Sequence, residues 1–275
     1  MRLATYNLWN SRVRLPERLD AAGEGAPRRD ADVVALQEVA ARVGEHDGRD
    51  AAGYLAERCG YGHVETRLHP DDPDEGLAFL SKQPLRAVEA GWDTGLPALA
   101  NCGLRARVSV GGTEVALTNV HLDWEDIAAR EAQIAQVVAW IEMRSEAGCY
   151  EVLCGDFNAA PDSSVYRFLQ DQQTLLGRGP GPGWHDLARF HAERGGRSPE
   201  PTLDFWRNPR WRDAPTLEVP LRVDWLLLRD VFNTGLPYPG VPDAGVFGVE
   251  PTPQARMVPS DHYGVYADLD FDGRD

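Results

Sequence analysis

The stretch that decides the fold is residues 151–162, which read EVLCGDFNAAPD. The apolar run at 151–154 predicts the end of a buried strand, and Gly155 allows the backbone to turn. Asp156 and Asn158 follow two residues apart, which on an extended backbone places both side chains on the same side. A carboxylate and an amide that project together past a strand end can bind a water, a metal ion or a phosphate oxygen.

The same stretch continues into a predicted helix. Pro161 and Asp162 are typical helix-start residues, and Asp162 is the predicted N-cap of a helix over residues 163–171. Taken alone, the stretch is also typical of an Asx-rich turn without a function. A functional interpretation is favoured because a polar residue at the end of an apolar strand recurs at several other places in the chain.

The 275 residues, 43% hydrophobic and 26% charged, have the composition of an ordinary globular protein. Residues 1–275 are predicted to form one domain, because no linker or composition break divides them. No apolar run reaches the ~18 residues of a membrane span, and no signal-peptide core precedes the first strand. We therefore expect a cytoplasmic protein, unless a leader has been removed, and a monomer. Cysteines at 59, 102, 149 and 154 show no paired CxxC spacing, which predicts free or buried thiols.

The charge balance is strongly acidic, with 28 basic against 43 acidic residues and a net charge of −15. A protein that holds long nucleic acid by its phosphates normally presents a basic face. The balance therefore disfavours a non-specific nuclease, although it leaves room for a local basic groove. It also suits a site that holds a divalent cation between carboxylates.

Apolar periodicity predicts alternating strands and helices in the first half of the chain and strands between long loops in the second. The predicted strands lie at residues 2–9, 31–39, 76–81, 104–110, 114–122, 222–229 and 263–269. The other predicted helices lie at 49–59, at 125–146 and at 12–30, the last with interruptions at Gly23, Gly25 and Pro27. Residues 177–220 and 235–253 are predicted surface loops. A single α/β sandwich is the simplest architecture for these elements.

Polar residues at the ends of the apolar strands are the candidate functional residues. They are Asn7, Glu38, His121, Asp156, Asn158, Asp224, Asp261 and His262. Asp224 is the most informative, because it lies inside the apolar run VDWLLL, where a carboxylate must be paired or hydrogen-bonded to be tolerated. The ring of His262 is a suitable partner.

The motifs TYNLWN, LQEV, NVHLD, GDFNAAP, VDWLLL and SDHYGVYADL resemble, in order and spacing, those of the endonuclease/exonuclease/phosphatase superfamily with the deoxyribonuclease I-like fold. The resemblance runs from residue 3 to about residue 269. It implies a four-layer α/β/β/α sandwich, in which two packed mixed β-sheets are flanked by helices. It also implies hydrolysis of a phosphoester bond with a divalent metal, Mg²⁺ in the first place and Mn²⁺ as the alternative.

The resemblance implies a metal-binding group at one end of this fold. Glu38 resembles the main metal-binding carboxylate, with Asn7 beside it and Asp261 contributing from the far end of the chain. Such oxygen ligands suit a hard cation that keeps several waters.

The resemblance also implies catalytic roles for five residues. Asp156 resembles the residue that orients or deprotonates the attacking water, and Asn158 the amide that holds a phosphate oxygen. Asp224 and His262 resemble a carboxylate–histidine pair in which the carboxylate fixes the ring. His121 resembles a second histidine that hydrogen-bonds the phosphate. Whether Asp156 or His262 takes the proton stays open, because their titrations are coupled.

Several of these residues also have a purely structural interpretation. Asn7 and Asn158 could close turns, Glu38 could cap a helix, and His121 could be a surface histidine. The acidic partner that some family members place behind the second histidine corresponds in position to Glu75, but the loop around Glu75 is unlike theirs.

Three functions are compatible with the sequence. The first is a divalent-metal-dependent phosphodiesterase or phosphatase that acts on a small or lipid-like phosphoester. The second is a Mg²⁺-dependent endonuclease or exonuclease on DNA or RNA, which the net charge disfavours. The third is a degenerate member used only for binding, which would lack a site residue, whereas every expected position is filled.

Overall fold

The computed structural model describes residues 1–24, 30–44, 48–178, 181, 183–212 and 216–272. The strands are β1 Arg2–Asn7, β2 Val33–Gln37, β3 His63–Leu68, β4 Gly76–Ser81, β5 Arg86–Ala90, β6 Gly103–Val110, β7 Thr113–His121, β8 Cys149–Asp156, β9 Trp184–Asp186, β10 Asp224–Arg229, β11 Ala244–Phe247 and β12 Gly264–Asp268. The α-helices are α1 Leu15–Glu24, α2 Ala51–Cys59, α3 Ile127–Arg144, α4 Ser164–Leu169 and α5 Leu187–Arg194. Short 3₁₀ helices lie at Gly91–Thr94, Pro97–Leu99 and Pro209–Trp211.

The strands form two six-stranded mixed sheets. The first has the order β11-β12-β1-β2-β4-β3, and the second β5-β6-β7-β8-β10-β9. In each sheet one central pair is parallel, β1 with β2 and β7 with β8, and the other pairs are antiparallel. Parallel neighbours end at the same edge of a sheet, so the carboxyl ends of β1 and β2, and those of β7 and β8, lie side by side.

Three apolar layers hold the sandwich together. The layer between the sheets includes Leu3, Phe79, Leu117 and Leu226, which are at most 1% exposed. The outer face of the first sheet packs on α1 and α2 through residues that include Tyr6, Leu19 and Leu55. The outer face of the second sheet packs on α3 and α4 through residues that include Trp140, Phe157 and Trp225. The predicted four-layer α/β/β/α sandwich is therefore confirmed.

The strands that the sequence did not predict are those at the four sheet edges, β3, β5, β9 and β11. The last two lie inside the predicted loops 177–220 and 235–253, and α5 lies in the first of them. An edge strand is paired on one side only and is often half exposed, so it carries no continuous apolar run. Positions 179, 180, 182 and 213–215 of the first loop lie outside the described residues.

Two helix predictions are corrected by the structure, one in its capping residue and one in its length. Asp162 is not the cap of α4, because the Ser163 side chain accepts the hydrogen bond from the Tyr166 amide at 3.2 Å. The predicted helix 12–30 is confirmed as the shorter α1, which contains Gly23, whereas Gly25 and Pro27 lie outside the described residues.

The four cysteines are free thiols, as predicted. None of the helices in the described part of the chain combines the length and apolar composition that a bilayer crossing demands.

Candidate active site

One end of the sandwich collects the strand ends that carry the predicted residues. Asn7 is the last residue of β1 and pairs with Gln37, the last residue of β2, so Glu38 follows directly beside it. In the second sheet, His121 pairs with Asp156 at the carboxyl ends of β7 and β8. Because β10 runs antiparallel to β8, its first residue, Asp224, also pairs with Asp156.

Asn7 joins the two sheets at this end. Its Nδ2 donates to Glu38 Oε1 and to Asp156 Oδ2, both at 2.9 Å. Its Oδ1 accepts the backbone amide of Trp9 at 2.9 Å. Glu38 has a positive φ of 51°, an uncommon backbone conformation for this residue type, which turns its carboxylate toward the strand ends. Asn7 and Glu38 are therefore brought together with Asp156, as the sequence predicted.

Asp156, Asp224 and His262 form a buried charged group. His262 Nδ1 lies 3.0 Å from Asp224 Oδ2, and His262 Nε2 lies 3.9 Å from Asp156 Oδ2. The two carboxylates are at most 1% exposed. The predicted carboxylate–histidine pair is thus present, and it sits against the carboxylate that ends β8.

The protonation of this group follows from its neighbours. Burial alone would lower the pKa of His262, but the charges of Asp224 and Asp156 outweigh burial and hold it well above its ordinary value. Burial raises the pKa of Asp224, while the charge of His262 opposes that rise. An imidazolium beside two carboxylates is the arrangement that these opposing effects favour.

His121 lies on the other side of Asp156, with its Nε2 3.8 Å from Asp156 Oδ2 and 4.0 Å from Glu38 Oε1. Its Nδ1 lies 3.7 Å from Glu75 Oε1, so Glu75 does occupy the position behind the second histidine. Burial would lower the pKa of His121, but the ion pair with Glu75 and the charges of Asp156 and Glu38 raise it to about 9. Behind Glu75, burial lowers the pKa of His69.

Asn158 is not placed as the sequence predicted. Its backbone is left-handed, with φ 46°, so it does not continue the extended strand on the same side as Asp156. Its Nδ2 donates to the Leu122 carbonyl at 2.9 Å, and its backbone amide donates to Asp156 Oδ1 at 2.8 Å. The reason is that the chain turns sharply after β8, and the amide side chain closes that turn.

Asp261 reaches the same end from the last part of the chain. Ser260 Oγ lies 3.2 Å from Asp261 Oδ1 and 2.8 Å from the Asn7 carbonyl oxygen. Burial, with a further contribution from the charge of Glu38, raises the pKa of Asp261 to about 6. A buried carboxylate whose proton affinity is raised and which lies near a second carboxylate is a fitting environment for a cation.

The donor chemistry of this end fits a hard divalent cation, because Glu38, Asn7 and Asp261 all offer oxygen atoms. Ligand atoms of Asp156, Asp224 and His262 also lie within 4.8 Å of one another, which makes that group a second candidate for a metal. We favour the Glu38 side, because His262 Nδ1 and Asp224 Oδ2 already lie within hydrogen-bond distance of each other at 3.0 Å, whereas the Glu38 side offers the oxygen atoms that a hard cation prefers.

Sequence reasoning missed several polar residues that organise this end. The Asn10 backbone amide donates to Glu38 Oε2 at 2.7 Å, and Asn10 Nδ2 donates to Glu75 Oε2 at 3.1 Å. Beneath them, Gln37 Nε2 donates to Asn119 Oδ1 at 2.6 Å across the two sheets. Gln37 in LQEV and Asn119 in LTNVH could have been found, because each is a polar side chain inside an apolar strand. The same pattern marked Asp224.

Comparison with known proteins gives one family and a set of similar folds. Residues 4–262 match the model of the Endonuclease/Exonuclease/phosphatase family. A search of the curated proteins finds no match. Among solved structures, D. rerio TDP2 complexed with single strand DNA product is similar at 18% identity and a TM-score of 0.71, over 98% of both chains.

Two bacterial structures are similar at the same level. An endonuclease/exonuclease/phosphatase family protein from Leptotrichia buccalis shows 16% identity and a TM-score of 0.69, over 98% of this chain and 100% of that one. A beta toxin from Staphylococcus aureus shows 16% identity and a TM-score of 0.65, over 98% and 99%. At such identities the likeness shows a shared fold.

The family match runs from β1 to His262, so it includes the first and the last segments that contribute to the candidate site. Members of this family hydrolyse phosphoester bonds with a divalent metal. The carboxylates, amides and histidines gathered at one end of the sandwich are groups that such chemistry uses. The chain belongs to the Endonuclease/Exonuclease/phosphatase family.

Proposed function

We propose that this protein is a Mg²⁺-dependent hydrolase, with Mn²⁺ as the alternative metal, that acts on a small or lipid-like phosphodiester. The observation that carries the proposal is the position of Asp156. It accepts a hydrogen bond from Asn7 on the Glu38 side and lies within 4 Å of both histidine rings, His121 and His262. Asp156 therefore lies between Glu38, which suits a cation, and the two imidazole rings, whose pKa values are raised.

In the proposal, Glu38 is the main metal ligand, and Asn7 Oδ1 and Asp261 complete the protein's share of the coordination. When bound, the cation supplies positive charge that neutralises the non-bridging phosphate oxygens. Asn10 and Asn7 both donate to the Glu38 carboxylate, and these hydrogen bonds fix its orientation.

Asp156 orients the attacking water and draws its proton in the proposed mechanism. The backbone amide of Asn158 donates to Asp156 Oδ1, and Asp156 Oδ2 therefore faces Asn7 and the two histidines. His262, fixed through its Nδ1 by Asp224, directs its Nε2–H toward the reacting phosphate, and the buried carboxylate keeps that ring protonated. As the water oxygen bonds to phosphorus, the bond between phosphorus and the leaving oxygen would break. The His262 imidazolium would stabilise the developing negative charge and give its proton to the leaving oxygen, while Asp156 holds the proton taken from the water.

His121 supplies a second positively charged donor from the opposite side, because its ion pair with Glu75 favours the protonated ring. Asn158 is proposed to contribute the amide hydrogen that its bond to Leu122 leaves free. Both groups would hold phosphate oxygens, not the leaving group.

The preference for a small substrate rests on how the nearby arginines are used. Arg130 donates to the Asn158 carbonyl, and Arg210 donates to the Val258 carbonyl at 2.7 Å. Arg18 is 1% exposed. In an acidic protein of net charge −15, these three cations are bonded to or buried in the protein itself, so they do not form a basic groove for a phosphate backbone.

Single-stranded nucleic acid is the second candidate substrate. It is favoured by one comparison, the similar fold of D. rerio TDP2 complexed with single strand DNA product. A short strand requires fewer phosphate contacts than a long duplex, so it is the form of nucleic acid that the charge of this protein would tolerate best.

Three substitutions test the mechanism. Asp156→Ala and His262→Ala should each lower kcat on a chromogenic phosphodiester by about 10²-fold or more, because each removes a group that handles a proton or charge at the phosphate. Glu38→Ala should mainly raise the Mg²⁺ concentration required for half-maximal rate. His185→Ala, which removes an exposed histidine paired with Asp230, is the matched control and should leave the rate unchanged.

Wild-type rates in Asp156→Ala, His262→Ala and Glu38→Ala together would contradict the assignment of the site, as would full activity in EDTA. The substrate class is decided separately, by comparing bis-p-nitrophenyl phosphate, a phosphocholine diester and a single-stranded oligonucleotide with Mg²⁺ and with Mn²⁺. Faster hydrolysis of the oligonucleotide would overturn the small-substrate proposal in favour of the second candidate.

A further inference from the structure

Arg18, in α1, has a guanidinium group whose hydrogen-bonding capacity is fully used on backbone carbonyls. An arginine carries five N–H donors in a fixed plane. The acceptors lie in two separate segments of the chain: Val13 O at 3.0 Å, Leu8 O at 2.9 Å, Trp9 O at 2.9 Å, Ser11 O at 2.5 Å and Pro259 O at 3.2 Å. The side chain therefore joins the loop after β1 to the segment before β12.

Both segments end at the candidate active site. The loop after β1 begins at Asn7 and carries Asn10, whose backbone amide donates to Glu38. The segment before β12 continues from Pro259 into Ser260, Asp261 and His262. Ser260 and Asn7 are 253 positions apart in sequence, and yet their two segments must keep a fixed separation for Asn7 and Asp261 to face one ligand.

The environment of Arg18 differs from that of the other buried arginines. Arg105 makes a bidentate ion pair with Glu151 at 2.8 Å, and Arg222 lies 2.6 Å from Asp186. Among the described residues no carboxylate lies within ion-pair distance of Arg18, which instead stacks its guanidinium 4.7 Å from the Trp9 ring centroid. A buried charge without an ion-pair partner, compensated by carbonyl dipoles, an aromatic ring and the more distant charges of Asp261 and Glu38, is costly to place in a core unless the geometry that it imposes is needed.

We propose that Arg18 is a positioning residue that holds the Asn7–Asn10 loop and the Asp261–His262 segment at the separation required to bind the divalent cation. The inference rests on the proposed function, since it assigns the cation to Glu38, Asn7 and Asp261. Lysine cannot replace arginine in this role, because an ammonium has three donors on a flexible stem and cannot span five carbonyls in one plane.

The test measures metal binding directly and does not depend on a substrate. Mn²⁺ is titrated into the purified full-length protein and free ion is followed by electron paramagnetic resonance, for wild type, Arg18→Lys and Arg105→Lys. Arg105→Lys is the matched control, because Arg105 is 3% exposed and its partner Glu151 lies five residues before Asp156, roughly 17 Å along the strand. Urea denaturation of each variant gives the loss of stability that accompanies either change.

Arg18→Lys should raise the Mn²⁺ dissociation constant about tenfold or more, as loss of a supporting partner of metal ligands typically does. Arg105→Lys should lower the urea midpoint comparably and leave Mn²⁺ affinity within about twofold of wild type. Unchanged affinity in a folded Arg18→Lys, or an equal loss in Arg105→Lys, would overturn the proposal. Wild-type protein that binds no Mn²⁺ would instead refute the assigned metal site and so the proposed function.

Ser260→Ala provides a second variant if Arg18→Lys does not fold. It removes a single oxygen that lies 2.8 Å from the Asn7 carbonyl oxygen and accepts the His262 backbone amide at 3.2 Å, so it loosens the same two segments without touching Arg18. Because Ser260 Oγ also lies 3.2 Å from Asp261 Oδ1, weaker Mn²⁺ binding in Ser260→Ala supports the role of the Ser260 contacts, of which the one to the Asn7 carbonyl oxygen joins the two segments. Wild-type affinity would show that the separation does not control the site and would refute the role assigned to Arg18.

Discussion

At the scale of single residues, the candidate site contains two carboxylates, Asp156 and Asp224, that are almost completely buried. Asp224 is 0% exposed and pairs with one nitrogen of His262, while Asp156 approaches the other nitrogen. Neither carboxylate could be tolerated in this place without the imidazolium between them. The pair therefore sets the protonation of His262, which determines whether the ring can donate to a phosphate oxygen.

This dependence gives a prediction for Asp224→Asn in the metal-free protein. A carboxylate stabilises the protonated ring, so its removal should lower the pKa of His262, and the ring should lose its proton at a lower pH than in wild type. The measurement is the titration of the His262 ring nitrogens by ¹⁵N NMR. Asp230→Asn, just beyond the opposite end of β10, is the control and should leave the titration midpoint of His262 unchanged. An unchanged midpoint in Asp224→Asn would contradict the pairing of Asp224 with His262.

At the scale of the elements, the parallel pairing of β7 and β8 brings His121 beside Asp156. Gly155, immediately before Asp156, has a φ of +133° and lies against the backbone of Val120. A Cβ at this position would meet the Val120 carbonyl oxygen and would lie 2.8 Å from its nitrogen. The close approach of the two strands at the site therefore requires glycine.

Gly155→Ala should accordingly destabilise the protein by about 3 kcal/mol or more, because the clash is with backbone and the conformation is strained for any other residue. Gly111→Ala is the matched control. Gly111 has a φ of +60° in the β6–β7 hairpin with open space around it, so only the backbone strain of about 1 kcal/mol applies. Urea denaturation measures both, and equal losses in the two variants would contradict the close approach at β7.

At the scale of the whole molecule, the two sheets are linked by polar groups as well as by the apolar layer between them. Asn119 Nδ2 donates to the carbonyls of Leu36 and Ala78 in the other sheet, at 2.9 and 3.2 Å. Asn119 lies two residues before His121, and Leu36 two residues before Glu38. The bridge thus fixes the relative position of the two sheets directly beneath the candidate site.

The packing of the whole molecule also predicts the reactivity of its thiols. Burial raises the pKa of Cys102 to about 12 and raises that of Cys154 as well, and both side chains are 0% exposed. Neither should react with a disulfide reagent at pH 8 until the protein unfolds, whereas the partly exposed Cys59 should react in the native state. Peptide mapping after labelling across a urea series checks this, and native-state labelling of Cys154 would contradict the buried second sheet.

The central strands and the polar residues at their ends could be predicted from the sequence, because both carry local signals. A fully buried strand is a short apolar run, and a charged or amide side chain within or just after it stands out, as for Asn7, Glu38 and Asp224. The motifs occur in the order typical of the family, and that resemblance predicted the sandwich of two mixed sheets.

Only the tertiary structure decided the rest, because it depends on contacts between residues far apart in sequence. The edge strands β3, β5, β9 and β11 acquire their conformation from a neighbour and carry no signal of their own. The turn that redirects Asn158, the ion pair of Glu75 with His121, and the five carbonyls around Arg18 likewise arise when separate segments meet. Local sequence determined which groups are available at the candidate site, and long-range packing determined which of them face one another.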